Sequence, residues 1–215
     1  MDITWFGLSC FRLRSQDIAV VTDPFPHSLG LNIGEPSALA VTVSQDHPNY
    51  SFVDGVEGNP KVLKGPGEYE LAGIYITGVM TPGSEEDPEV PRNTAYLIEV
   101  EGIRLCHLGN IKVPLANKQV EALSPVDVLL LPVGGAPAVE LSQAIEMIGS
   151  LDPKIVIPMH YKVPYLKVQL GEVGAFLREM GIRGLQPQNR LNVGVANLPH
   201  DMRVVILEHQ GKSPA

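Results

Sequence analysis

The sequence predicts a layered α/β sandwich built as one domain over residues 1–215. Three observations predict it. The first half reads as strand after strand broken by turn-forming residues. The second half alternates buried strands with amphipathic helical segments, and that order favours sheets with helices laid against them. The third is 21 glycines and 19 prolines in 215 residues, which call for many short elements joined by tight turns. A chain of this length can bury one substantial core and is short for two.

Residues 3–6, 11–14 and 18–22 are short β-type runs, followed by 38–43, 61–63, 69–71 and 74–79. Runs 95–100 and 103–107 are separated only by Glu101-Gly102, a hairpin signal. Residues 80–93 carry Pro82, Gly83, Glu85, Glu86, Asp87, Pro88 and Pro91, and are expected as an exposed loop. Behind it, residues 117–123 suit a short helix and 128–131 a buried strand. Residues 139–149 suit an amphipathic helix and 155–158 another buried strand. Residues 168–180 read as a helix stopped by Gly181, and 204–207 as a last strand.

Composition narrows the function classes. Hydrophobic residues at 44% and charged residues at 19% mark a globular chain. The net charge is −8, and no cluster of Lys or Arg stands out, so no nucleic-acid partner is expected. The start, Met1-Asp2-Ile3-Thr4-Trp5, lacks the features of a signal peptide. The longest apolar run, 126–133, is interrupted by Asp127 and Pro132 and is too short to span a bilayer. A cytoplasmic protein without membrane contact is therefore expected. Cys10 and Cys106 lie in apolar strand-like segments and are expected as buried free thiols.

Four stretches set polar residues directly after apolar strands, where loops gather into sites. They run from Val21 to Phe25 around Asp23, from Val41 to Tyr50, from Cys106 to Asn110, and from Val156 to Tyr161. One histidine after a strand is weak evidence, since most such histidines are hydrogen-bonded and nothing more. The order and spacing of all four are more specific. With Ile3-Thr4-Trp5-Phe6-Gly7-Leu8-Ser9-Cys10-Phe11, Gly65-Pro66-Gly67-Glu68-Tyr69-Glu70, Leu130-Leu131-Pro132-Val133-Gly134-Gly135 and Ile157-Pro158-Met159-His160-Tyr161, the chain resembles the metallo-β-lactamase superfamily. Within it, the chain resembles the ascorbate-6-phosphate-lactonase-like branch of small metal-dependent hydrolases. The resemblance implies a four-layer αββα sandwich with the site at one edge of the two sheets.

The departures from the family pattern bear on chemistry. The family's metal-binding His-x-His-x-Asp-His maps onto Gln45-Asp46-His47-Pro48-Asn49-Tyr50, so only His47 remains of its four ligands. Leu8 stands for the histidine of the opening stretch, no histidine occurs in 80–93, and Asn110 replaces the bridging carboxylate. His160, the last ligand, is kept. A zinc site wants at least three strong protein ligands, and two divalent ions need anionic donors between them. The sequence therefore predicts no resident metal. If one is present, His47 and His160 are the candidates to hold a single zinc or manganese ion.

Amides and a phenol can hydrogen-bond to one another where clustered charges without metals would be costly. Gln45, His47, Asn49, Tyr50, Asn110 and His160 are thus expected to form a neutral polar cluster lining a pocket. Asp23, Asp46 and His107 are expected to support it without touching a metal. His27, His200 and His209 match no motif and are expected at the surface. Ser9 and Cys10 have no histidine near in sequence to activate them as nucleophiles. The leading expectation is a non-catalytic or ligand-binding hydrolase homologue, taking a small molecule and forming a homo-oligomer as relatives in this branch do. The alternative is a metal-dependent hydrolase of an ester, lactone or phosphoester with a reduced site, a carboxylate coming from Asp46 or from Glu85–Asp87.

Overall fold

The structure is a computed structural model that describes residues 1–83, 92–136 and 138–213. Strands β1 (Asp2–Gly7), β2 (Cys10–Ser15), β3 (Ile18–Thr22), β4 (Ala40–Val43) and β5 (Lys61–Lys64) come first. They are followed by β6 (Gly67–Leu71), β7 (Ile74–Met80), β8 (Thr94–Val100) and β9 (Ile103–His107). Then come α1 (Asn117–Leu123), β10 (Val128–Pro132), α2 (Leu141–Leu151), β11 (Ile155–Met159), α3 (Val173–Glu179), β12 (Leu191–Asn192) and β13 (Arg203–Val204). One sheet has the order β12-β1-β2-β3-β4-β5 and the other β13-β11-β10-β9-β8-β7-β6.

Strand alternation fixes which face of the first sheet turns inward. Trp5 pairs with Phe11, and Ile3 with Leu13, which pairs with Val20. These residues therefore share one face. The Phe11 ring meets the ring of His107, on the other sheet, edge-on at 6.3 Å. That face is the seam of the sandwich. Tyr96 of β8 crosses the same seam and donates its hydroxyl to the carbonyls of Val43 and Leu63, each at 3.0 Å.

Strands β10 and β11 are buried along their whole length, as parallel strands covered on both faces must be. Helix α2 buries Ala144, Met147, Ile148 and Leu151, the spacing of one helical stripe, and lies against β10. Strands β3, β4 and β5 are mutually parallel, so the chain must cross over the sheet twice, through 23–39 and 44–60. The inner face is taken by the second sheet. The crossovers therefore cover Val21, Val41 and Val43 on the outer face, and all three are buried. Among the described residues these crossovers hold 3-10 turns at His27–Leu29 and Val53–Gly55 and no α-helix. The expected sandwich is present, with loop in place of α-helix over β3–β5.

Several boundaries differ from the sequence reading. Helix α3 begins at Val173, not 168, because Gly171 packs its backbone onto Gly134. The Gly171 amide donates to the Gly134 carbonyl at 2.9 Å, which holds 162–172 as a loop. Helix α2 begins at Leu141, not 139, with the Glu140 amide bonded to the Gln143 side chain at 3.3 Å. The last strand is Arg203–Val204 alone. The two-residue β12 at the edge of β1 was too short to carry a pattern.

Gly181 follows α3 at φ +68, the left-handed stop expected there. Cys10 and Cys106 are both free and buried. Most of the expected loop at 80–93 lies outside the described residues, but its ends, Thr81 and Asn93, are buried and joined by a backbone bond of 2.9 Å. No described helix is long and apolar enough to cross a membrane.

Candidate functional site

The site residues sit at strand ends, where the connections leave one edge of the sandwich. Asp23 directly follows β3, Gln45 lies two residues past β4, Asn110 three past β9, and His160 directly follows β11. Backbone bonds knit these ends together. The His160 amide donates to the Leu8 carbonyl at 3.0 Å, and the Thr94 amide donates to the Ser44 carbonyl at 2.8 Å. The Asn110 amide donates to Asn93 Oδ1 at 2.9 Å, while Asn93 Nδ2 donates to the Leu108 carbonyl at the same distance.

Beneath the site lies a fully buried pair, Asp23 and His107. Asp23 Oδ1 accepts the Ser44 amide at 2.7 Å, and Oδ2 accepts the Ser44 hydroxyl at 2.5 Å. Burial pushes its carboxyl up to about 7, and the bonds from Ser44 only partly offset that. His107 Nε2 donates to the Ser9 carbonyl at 2.9 Å. Burial pulls His107 down to about 4, so the ring is neutral at neutral pH. Its approach of 4.0 Å to Asp23 is therefore a dipolar contact and not an ion pair. Cys10 is also pushed up by burial and by Asp23, which keeps its thiol protonated and unreactive.

The residues expected to line a pocket separate into two groups. Gln45, Tyr50, Asn110 and His160 are buried. They pair off directly. Asn110 Nδ2 donates to Gln45 Oε1 at 3.1 Å, and Tyr50 Oη lies 3.1 Å from His160 Nε2. Burial raises the Tyr50 phenol well above its ordinary range and lowers His160 to about 4. The phenol is thus the donor and a neutral imidazole the acceptor. His160 Nδ1 and Asn110 Oδ1 are buried and have no partner among the described residues.

His47 and Asn49 are not buried with these four, which corrects the six-residue lining: His47 is exposed and Asn49 half-buried, and the His47 ring only flanks the Tyr50 ring at 5.7 Å. The chain turns tightly over 45–51: the His47 amide bonds to the Gln45 carbonyl, and the Tyr50 amide to the His47 carbonyl. That turn leaves His47 exposed, with its Nδ1 accepting the Asn49 amide at 3.2 Å. Asp46 also points to solvent and pairs with Lys64 at 3.1 Å. Leu8 is buried at φ +48 beside the His160 backbone. Ser44 and Asn93 are buried hydrogen-bond partners of these residues that sequence reasoning missed. Ser44 sits one residue before the Gln45–Tyr50 stretch, which was a usable signal. Nothing in the sequence marks Asn93 as the brace of Asn110.

These contacts make a quantitative expectation. Tyr50→Phe leaves His160 Nε2 buried without a donor, and should cost about 1–3 kcal/mol in urea unfolding at pH 7. A change within error would show that water replaces the phenol and that the core of the site is open.

The donor set among the described residues does not fit a divalent metal. No group of three or more His, Cys, Asp or Glu that could hold an ion occurs among the described residues. The one buried histidine of the cluster has its Nε2 bonded to Tyr50, and the amides at 45 and 110 face each other without charge. Among the described residues, a zinc ion here would meet one buried imidazole and neutral oxygens, short of three strong ligands.

Residues 2–160 match the beta-lactamase superfamily domain family. The chain is 32% identical over 213 residues to a UPF0173 metal-dependent hydrolase of Carboxydothermus hydrogenoformans, covering 85% of this chain and 94% of that one. It is 36% identical over 213 residues to a UPF0173 metal-dependent hydrolase of Nanoarchaeum equitans, covering 86% and 95%. A Thermotoga maritima structure, named as a Zn-dependent hydrolase of the metallo-β-lactamase superfamily, superposes with a TM-score of 0.79. It is 36% identical, and the match covers 96% of this chain and 97% of that one.

Proposed function

This chain belongs to the beta-lactamase superfamily domain family, and from that premise we propose that it is a hydrolase homologue whose metal site has become a neutral hydrogen-bonded cluster, acting by binding and not by metal-dependent hydrolysis. One observation carries the reading: the positions that the family pattern gives to metal ligands bond to each other, Gln45 with Asn110 and Tyr50 with His160. Each bond satisfies a buried polar group that a metal would otherwise have to satisfy.

A second reading, a metal-dependent hydrolase with a reduced site, is favoured by the comparisons themselves. The relatives carry the name metal-dependent hydrolase, and this lends the expectation of a metal-free, non-catalytic protein no support. In that reading His160 and His47 hold a single zinc or manganese ion with a carboxylate from the acidic stretch Glu85–Asp87, which lies outside the described residues.

Elemental analysis of the full chain, purified without chelator, separates the two. The first reading expects zinc and manganese far below one equivalent, unchanged by dialysis against either ion. One tightly held equivalent, lost in His160→Ala, would establish the second.

A further inference from the structure

Each sheet ends in an open edge on the same side of the sandwich. Strand β5 is the last of one sheet and β6 the last of the other, and only Gly65-Pro66 separates them. Among the described residues no strand pairs with either on its outer side, and no backbone bond reaches the outward groups of residues 62, 64, 68 and 70. Open edges of this kind are templates for another chain. The crossing between them is firmly held. The Tyr96 hydroxyl lies 3.0 Å from the Leu63 carbonyl and 3.5 Å from that of Gly65. Gly78 lets Gly65 lie against β7, since a Cβ there would fall 2.6 Å from the Gly65 carbonyl.

The two edges run in opposite directions. Strands β4 and β7 both end at the site edge, where the Thr94 amide meets the Ser44 carbonyl and Thr94 pairs with Met80. Strand β5 is parallel to β4 and runs toward that edge, whereas β6 is antiparallel to β7 and runs away from it. A two-fold axis along the strands therefore sets β5 of each copy antiparallel to β6 of the other, with residues of equal height face to face.

The hydrogen-bonding phase matches as well. The Lys61 amide bonds inward to the Leu39 carbonyl at 2.8 Å, so by alternation Val62 and Lys64 turn their backbone groups outward. The β6–β7 hairpin closes on Leu71 and Ile74 through Ala72-Gly73, at φ +50 and +82. The closing pair of such a two-residue turn is hydrogen-bonded, so Gly67, Tyr69 and Leu71 bond inward and Glu68 and Glu70 face outward. Setting Lys64 opposite Glu68 and Val62 opposite Glu70 lets each pair exchange both backbone bonds. Their side chains also share a face. Leu63 is buried in the seam, which puts Val62 and Lys64 on the outer face, and Glu70 pairs with the exposed Tyr75 on the outer face of its sheet.

Charge decides between the possible pairings. Both outward residues of β6 are glutamates, so β6 against β6 sets acid opposite acid in every register that pairs them. Against β5, Glu68 meets Lys64 directly and Glu70 meets it diagonally, with the exposed Lys61 at the start of the strand. Two further acids stand near. Asp46 pairs with Lys64 at 3.1 Å, both side chains being exposed, and Glu99, next to Tyr75 on β8, pairs with Arg104 at 3.3 Å. An exposed pair such as Asp46–Lys64 contributes little and leaves the ammonium able to bridge a second carboxylate.

We propose that this protein forms a two-fold dimer through its sheet edges, β5 of each copy pairing with β6 of the other in the register Lys64–Glu68 and Val62–Glu70. The interface goes beyond the proposed function and does not depend on the metal state of the polar cluster.

Sedimentation equilibrium of the full chain, up to about 100 μM, tests it. The mass of a dimer is expected, with a dissociation constant raised about tenfold in Lys64→Glu and in Glu68→Lys, since each reversal acts twice across a two-fold contact. Both positions are exposed, so the variants should keep the circular dichroism of the wild type. Combining the two reversals should bring the constant back to within about threefold of wild type. Amide exchange at residues 62, 64, 68 and 70 should slow as concentration rises. A monomer at every concentration would overturn the proposal. So would a dimer indifferent to the single reversals, one that the combined variant fails to restore, or one in which those amides stay unprotected.

Discussion

Asp23→Asn should make this protein more stable at pH 8 by up to about 4 kcal/mol and leave it nearly unchanged at pH 4. The carboxyl titrates near 7 in the folded chain against 3.8 for the ordinary group, because it is fully buried. A raised pKa means that the folded state holds the proton more tightly. The associated stability is complete below pH 3.8 and is lost as pH rises through 7. Asparagine removes that loss, accepts the Ser44 amide as the acid does, and tolerates the left-handed φ of +41 at this position.

The opposite sign holds for His107 and His160. Both are lowered from 6.5 to about 4 by burial, so each contributes stability above pH 6.5 that is lost as pH falls through 4, on the order of 3 kcal/mol apiece. In the wild type the acid partly masks these two histidines. Chemical unfolding between pH 4 and 8 should therefore show a steeper rise with pH in Asp23→Asn than in the parent. A variant less stable than wild type at pH 8 would sink the prediction, because it would mean that the charge of Asp23 is in use.

The second large effect is a restoration. The fourfold variant Gln45→His, Asn49→Asp, Tyr50→His and Asn110→Asp puts four of the family's donors beside His47 and His160, while position 8 and the stretch 80–93 still lack theirs. It should take up more zinc than the wild type does, in equivalents bound per chain. With zinc at about a thousand times its Kd, binding should add about 4 kcal/mol to stability. Without metal the same variant should be less stable than wild type, because two carboxylates and two imidazoles then crowd a buried site without counter-charge. Thermal melts with and without zinc, together with elemental analysis, read both signs. A folded variant that binds no zinc would overturn this expectation and point to the 45–51 turn, which leaves His47 exposed, as the obstacle.

Much of the architecture was legible in the residues because period reports burial. The alternation in β1, β2 and β7 and the unbroken apolar runs of β10 and β11 each follow from what lies on their faces. The start of α3 was not legible. Residues 168–172 are compatible with helix, and only the packing of Gly171 on Gly134, distant in sequence, holds them out of it. His209 likewise sits in no motif and is half-buried only because the C-terminal segment returns to Trp5.

The sequence alone determined which donor atoms stand at positions 45, 49, 50 and 110, since side-chain chemistry there does not depend on the fold. It also determined that two β-rich halves would pack as layers, since pattern and turn chemistry act locally. Only the tertiary structure decided what the remaining groups do. It paired Gln45 with Asn110 and Tyr50 with His160, turned His47 to solvent, and buried Asp23 beside a neutral His107. The physical reason is that hydrogen-bond partners and desolvation depend on distances between segments far apart in the chain, and no local pattern encodes those distances.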